Sequence, residues 1–240
     1  MAAISQRLSA GGLYLSALGI VCALAALQLW QVLRPGLHVQ PLNLAAWKQA
    51  LTSPVILTVL CVTLLSMTGQ MTVFSYIAPI LRDAFAGGPE QVSIAFAVAG
   101  MTGVAGNALA SRVVARFGID QVIAVAITSL IVGIGLFAAS FGNYTLALLG
   151  IGLWGLGSFS SNSLQQSRLV ALAPGLAAAT VALNTSVVYM GQAFGAGLGG
   201  WFIAKSISPS IVWTACALTV LALAVSMLAT RLSKPRLSIL

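Results

Sequence analysis

Residues 119–141 read IDQVIAVAITSLIVGIGLFAASF. The one charge, Asp120, stands at the start, and the apolar run behind it exceeds the roughly 20 residues that an α-helix needs to cross a bilayer. Six further runs have this character, at 13–33, 54–80, 91–111, 143–165, 178–203 and 210–230. The expected fold class is therefore all-α: a polytopic membrane bundle of seven transmembrane helices. Strands are excluded because lipid offers no partner to an open strand edge. Breakers separate the runs: Arg34-Pro35-Gly36, Ser53-Pro54, Gly87-Gly88-Pro89, Gly142-Asn143, Ala173-Pro174-Gly175 and Ser208-Pro209. The short break after 141 predicts a tight antiparallel pair of helices. The first run reads as a retained span, because its apolar stretch leads into a basic loop and not into a cleavage site.

Composition agrees. The 240 residues are 59% hydrophobic and 6% charged, against about 25% charged in soluble domains. Mean hydropathy is +1.03. Such a chain cannot coat a water-soluble globule, which excludes a cytosolic enzyme. The formal charge of +8 would suggest nucleic acid in a soluble protein. In a membrane protein it reflects basic cytoplasmic loops, so the expected partners are the lipid bilayer and a small-molecule solute. Arg34, Lys48, Arg112, Arg116, Arg168, Arg231, Lys234 and Arg236 fall on one side, and Arg7, Arg82 and Lys205 on the other. This bias puts the C-terminus in the cytoplasm. Seven spans then leave the N-terminus outside, as expected if further spans precede it. Cys22, Cys61 and Cys216 lie in apolar runs without ligand-like spacing, so neither a disulfide framework nor a metal site is expected.

The titratable residues limit the chemistry. Asp83 and Glu90 are expected in a loop, Asp120 at a span edge and His38 in the first loop, with Lys48, Lys205 and Lys234 in loops or the tail. No lysine lies in a span to carry a retinal Schiff base, and no His and acid cluster serves an intramembrane metalloprotease. No cofactor is expected, and the serines lack a His or Lys partner within the membrane for hydrolysis.

Small and polar residues share faces. Gly191, Gly195 and Gly199 are four apart, with Gly200 alongside, a spacing that lets another backbone approach closely. Either ordinary packing within the chain or a sliding contact between transporter halves would use it. Thr63, Ser66, Gln70 and Phe74 share one face, as do Trp154, Ser158, Asn162 and Gln165. Burying such amides without partners costs a few kcal/mol, so these faces should point into the bundle, as interhelical glue or as a solute path. Gln70, Phe74, Trp154, Ser158 and Asn162 are the expected lining of a shared cavity.

The segment Phe74-Ser-Tyr-Ile-Ala-Pro-Ile-Leu81 and the stretch GVAGNALASRVVARFG from Gly103 to Gly118 resemble the seventh and eighth helices of major facilitator superfamily permeases. Leu183-Asn-Thr-Ser186 with the run Gly191–Gly200 resembles their eleventh. The branch that this resemblance indicates is the bacterial drug:proton antiporters and sugar-efflux-like permeases. It implies an incomplete major facilitator fold: an N-terminal segment at 1–12, the last helix of the first half at 13–33, a cytoplasmic linker at 34–53, a C-terminal six-helix half at 54–230 and a cytoplasmic tail at 231–240. Gly106, Arg112, Arg116 and Gly118 match the family's cytoplasmic loop motif, but Ala115 stands where an Asp is common. A charge lock could form instead between Arg116 and Asp120.

The function so implied is secondary active efflux of small amphipathic molecules or sugars across the bacterial inner membrane. A missing N-terminal half or a second copy would complete the transporter. The alternatives are a non-transporting membrane fragment and a seven-helix scaffold or receptor. The transporter reading carries three further expectations: inverted three-helix repeats, a Gly191–Gly200 face that meets the first half, and no proton-coupled transport by this chain alone.

Overall fold

The computed structural model describes residues 2–32, 44–85, 88–140, 142–205 and 208–233. All long elements among them are α-helices: α1 Ala2–Val32, α2 Leu44–Thr52, α3 Pro54–Phe74, α4 Ile77–Phe85, α5 Pro89–Phe117, α6 Ile119–Ala138, α7 Tyr144–Leu172, α8 Ala177–Ala204 and α9 Ser208–Ser233. The chain divides into two units, residues 1–41 and 42–240. The first contains α1, of which Leu15–Val32 is long and apolar enough to cross a membrane. His38 and the turn at Arg34–Gly36 lie outside the described residues.

Local chemistry sets the helix boundaries in the second unit. Ser53 caps α3 by accepting from the Ile56 N–H at 3.5 Å, and Pro54 follows in the first turn, where a missing N–H costs nothing. Asn143 caps α7 through its Oδ1, which accepts from the Leu146 N–H at 3.1 Å. Between α5 and α6 stands one residue, Gly118, whose φ of 83° is open to glycine and strained for most other residues.

Six helices among the described residues are long and apolar enough to cross a membrane: α1, α3, α5, α6, α8 with the short turn before it, and α9. Of the seven expected spans, α7 is the one that does not meet this measure. That helix has 29 residues, but its second half carries Ser158, Ser160, Ser161, Asn162, Ser163, Gln165, Gln166, Ser167 and Arg168. The expected span at 54–80 is also divided, ending as α3 at Phe74, with Ser75 and Tyr76 in a turn before α4.

The pairing of the helices is interlocked. α3 packs mainly on α8 and α9, α7 mainly on α5 and α6, and α6 lies on α9. Exchanging α3 with α7, α5 with α8 and α6 with α9 leaves this set of main pairings unchanged. The directions follow the same exchange. α3 and α8 run parallel, with Thr63 bonded to Asn184 and Tyr76 to the Ala196 carbonyl. α5 and α7 run parallel too, as Tyr144 donates to the Gln91 carbonyl at one end and Phe159 meets Gly103 further along.

Small residues make these pairings close. A Cβ at Gly195 would stand 2.5 Å from the Thr68 carbonyl oxygen, one at Gly191 2.7 Å from the Met67 Cβ, and one at Gly200 2.6 Å from the Tyr76 hydroxyl. At Gly199 it would collide with the Thr72 carbonyl. The glycine face of α8 is therefore filled by α3 of the same unit. This corrects the expectation that it lies open for another half: the four-residue spacing specifies close approach but does not name the partner. In lipid, where apolar burial drives helix association little, such van der Waals contact is a main source of cohesion.

Candidate functional site

The C-terminal turns of α3 meet the middle of α7 in antiparallel sense, and their polar faces oppose each other there. Gln70 is 1% exposed and Trp154 4%. The Gln70 Oε1 accepts from the Trp154 Nε1–H at 3.2 Å and from the Ser158 hydroxyl at 2.6 Å. The Gln70 Nε2 donates to the Ser66 carbonyl at 3.2 Å and hydroxyl at 3.1 Å. One amide thus ties the two helices and is itself satisfied, as burial away from water demands.

Next to this knot, between α3, α5 and α7, is a pocket of about 160 Å³. Gln70, Phe74, Trp154 and Ser158 line it together, with Phe96, Gly100 and Phe159 among the residues that complete the wall. The Phe74 ring stands edge-to-face on Trp154 at 5.7 Å and on Phe96 at 5.5 Å, an arrangement worth about 0.5–1.5 kcal/mol per pair beyond area burial. Phe96 and Phe159 are 42% and 53% exposed, so aromatic faces ring the mouth.

Asn162 does not share this pocket. It lies one turn further along α7, in a gap of about 10 Å³ with Thr63, Ser66, Ser161 and Gln165. Its Oδ1 and both amide atoms of Gln165 have no hydrogen-bond partner among the described residues. The sequence placed the five residues on two matching faces, but where two helices close on each other comes from packing, and they close between Ser158 and Asn162. Phe96, Gly100 and Phe159 escaped the sequence reading. The i, i+4 spacing of Phe96 and Gly100 on α5 was the available signal.

The charged end of the unit also differs from expectation. Gly106, Arg112 and Arg116 stand on α5, and only Gly118 of the expected loop motif lies between helices. Arg116 sits over the Phe117 ring at 5.4 Å. Asp120 pairs with Arg168 at 3.1 Å, and not with Arg116. Arg168 was expected in a loop, but α7 continues two turns past the apolar run and buries it to 2% exposure. There it also donates to the Thr230 hydroxyl at 2.9 Å and the Ser226 hydroxyl at 3.4 Å, which joins α7 to α6 and α9.

Comparison with known proteins adds to this geometry. A family profile described as Major Facilitator Superfamily matches residues 12–191 and, in a second alignment, 59–239. The chain is similar to the uncharacterized MFS-type transporter YbcL of Bacillus subtilis (strain 168), with 22% identity over 70% of this chain and 43% of the relative. It is also similar to probable sugar efflux transporters of Helicobacter pylori. The identity is 29% for strain G27 and 30% for strain HPAG1, each over 65% of this chain and 40% of the relative. The chain thus spans less than half the length of these curated relatives.

Proposed function

The chain belongs to the Major Facilitator Superfamily, a class of membrane transporters and not of enzymes, and on that premise we propose that it is the solute-handling C-terminal half of an efflux permease. As a multi-pass membrane protein of this family it sits in lipid and handles small solutes. In this reading α7 crosses the membrane as well, shielded by α5 and α6, and brings the count to seven. α3–α6 and α7–α9 are inverted repeats, a relation that the exchange-symmetric pairing supports. α1 is the last helix of the other half, and residues 54–230 are the six-helix half.

The observation that carries the reading is the pocket where Gln70, Phe74, Trp154 and Ser158 converge, between the C-terminal turns of α3 and the middle of α7. Transporters of this type bind solute near the bilayer midplane and expose it alternately by rocking two halves. Asn162 continues the polar path below the pocket. Arg112 and Arg116 at the end of α5 and Gly118 in the turn after it face the cytoplasm, with Gly106 further up α5, in a bacterial inner membrane with the C-terminus inside. The remaining half comes from further chain or from a second copy. The names of the Helicobacter pylori relatives support sugar efflux, and the aromatic lining of the pocket supports small amphipathic molecules; family membership gives no support to a scaffold or receptor. The test is export from cells expressing this chain with and without its upstream coding region. Export that requires the upstream region and is lost in Trp154→Ala is expected. Export indifferent to Trp154, Ser158 and Phe74 would overturn the reading.

A further inference from the structure

Hydrogen-bonding capacity in the pocket is nearly exhausted. A glutamine amide offers one oxygen with two lone pairs and one nitrogen with two protons. Gln70 spends the first on Trp154 and Ser158 and the second on Ser66. The Trp154 N–H and the Ser158 hydroxyl proton are spent in the same bonds. What remains for a solute is acceptor capacity on the Ser158 oxygen. The free amide atoms of Asn162 and Gln165 face a gap of about 10 Å³, no larger than a single water needs. A sugar entering the pocket would leave most of its hydroxyls unpaired, at about 1–3 kcal/mol for each one buried.

Shape and polarity point elsewhere. None of the lining residues carries a charge, and the walls are the rings of Phe74, Phe96, Trp154 and Phe159. An apolar cavity of about 150 Å³ lined by similar side chains binds benzene, and this pocket holds about 160 Å³. Gly100 leaves one wall flat, and Gly103 makes room for the Phe159 ring, which would lie 2.9 Å from a Cβ there.

We infer that the pocket takes one uncharged aromatic ring, so that the solute of this half is an aryl-bearing molecule, such as an aryl glycoside, and not a free sugar. The inference rests on the pocket being the solute site.

The test uses this chain in detergent with Trp30, Trp47, Trp201 and Trp213 replaced by Phe, which leaves Trp154 as reporter. Phenyl β-glucoside and methyl β-glucoside are titrated against its fluorescence. Gly100→Leu is the blocking variant. A Cβ at Gly100 meets nothing within 4 Å, so the helix accepts the side chain while the pocket fills. Phe159→Ala removes one wall as a second variant.

Phenyl β-glucoside should change the Trp154 emission saturably, and methyl β-glucoside should not at tenfold higher concentration. Both variants should weaken phenyl β-glucoside binding tenfold or more. Equal binding of the two glucosides, lost in Gly100→Leu, would overturn the ring inference and leave the pocket as solute site. Binding insensitive to both variants, or no binding of either glucoside, would overturn the inference and the pocket reading together.

Discussion

Gln70 holds the centre of the unit, and its replacement separates two effects. Gln70→Leu keeps the bulk but strips the acceptor from Trp154 and Ser158. A buried donor left unmatched costs about 1–3 kcal/mol, so unfolding in detergent should begin earlier and Trp154 emission should shift. An unchanged unfolding midpoint and spectrum would mean that the knot contributes nothing. The glycines of α8 allow a matched comparison. Gly195→Leu drives a side chain into the Thr68 carbonyl, whereas a Cβ at Gly197 meets nothing within 4 Å. Overpacking of this kind costs about 1–3 kcal/mol or more. Gly195→Leu should therefore lower the yield of folded protein and Gly197→Leu should not, by size-exclusion profile. The four-residue spacing made the close approach legible in the sequence. It held no information on which helix approaches, because α3 presents ordinary Thr and Met residues to the glycines.

At the scale of elements, α7 separates composition from exposure. A hydropathy window sums side chains whatever way they face, and α7 buries Ser160, Ser161, Gln165 and Arg168 while Ser163 and Ser167 are exposed. The runs that became α3, α5, α6, α8 and α9 were legible because lipid and core both ask for apolar residues. The buried end of α7 was not, since Arg168 reads as a loop cation until Asp120, Ser226 and Thr230 are seen around it. The ion pair yields a prediction of sign. Asp120→Asn leaves a guanidinium at 2% exposure without its countercharge. Removing one partner of a buried pair costs up to about 3–5 kcal/mol, while replacing both by apolar groups is often neutral. Asp120 is 36% exposed, so the lower part of that range applies. Asp120→Asn should destabilise more than the Asp120→Asn, Arg168→Met double variant in thermal unfolding. The reverse order would show that Arg168 is solvated. The cap is a smaller lever: Asn143→Ala should cost about 1 kcal/mol, seen as faster hydrogen exchange in the first turn of α7.

For the whole molecule, the positions of the acids decide what the chain can do alone. Asp83 is exposed near the end of α4, Glu90 is exposed in the first turn of α5, and Asp120 is in the first turn of α6. A proton carrier must be screened from each side in turn, so a carboxylate near the middle of a span is needed, and these acids are at helix ends. Vesicles containing only this chain should show no solute movement driven by a pH gradient. Gradient-driven uptake abolished by an uncoupler would point to two copies doing the work of both halves. The number of apolar runs and the pairing of the consecutive helices α6 and α7 were readable locally, whereas the partners of α3 were not, because they lie more than a hundred residues away, as Asn184 does from Thr63.

The interlocked pairing also has a consequence for biosynthesis. During translation α3 enters the membrane first of its unit, but the helices it packs on, α8 and α9, are made last. Until then Thr63 is without Asn184, its partner on α8, and the carbonyls that the α8 glycines will cover are bare, while Gln70 gains Trp154 and Ser158 once α7 is made. The nascent chain therefore orders in two stages, α5, α6 and α7 first and the α3, α8 and α9 side last, and a product stalled after α7 exposes an unfilled α3 face that membrane quality-control proteases would recognise.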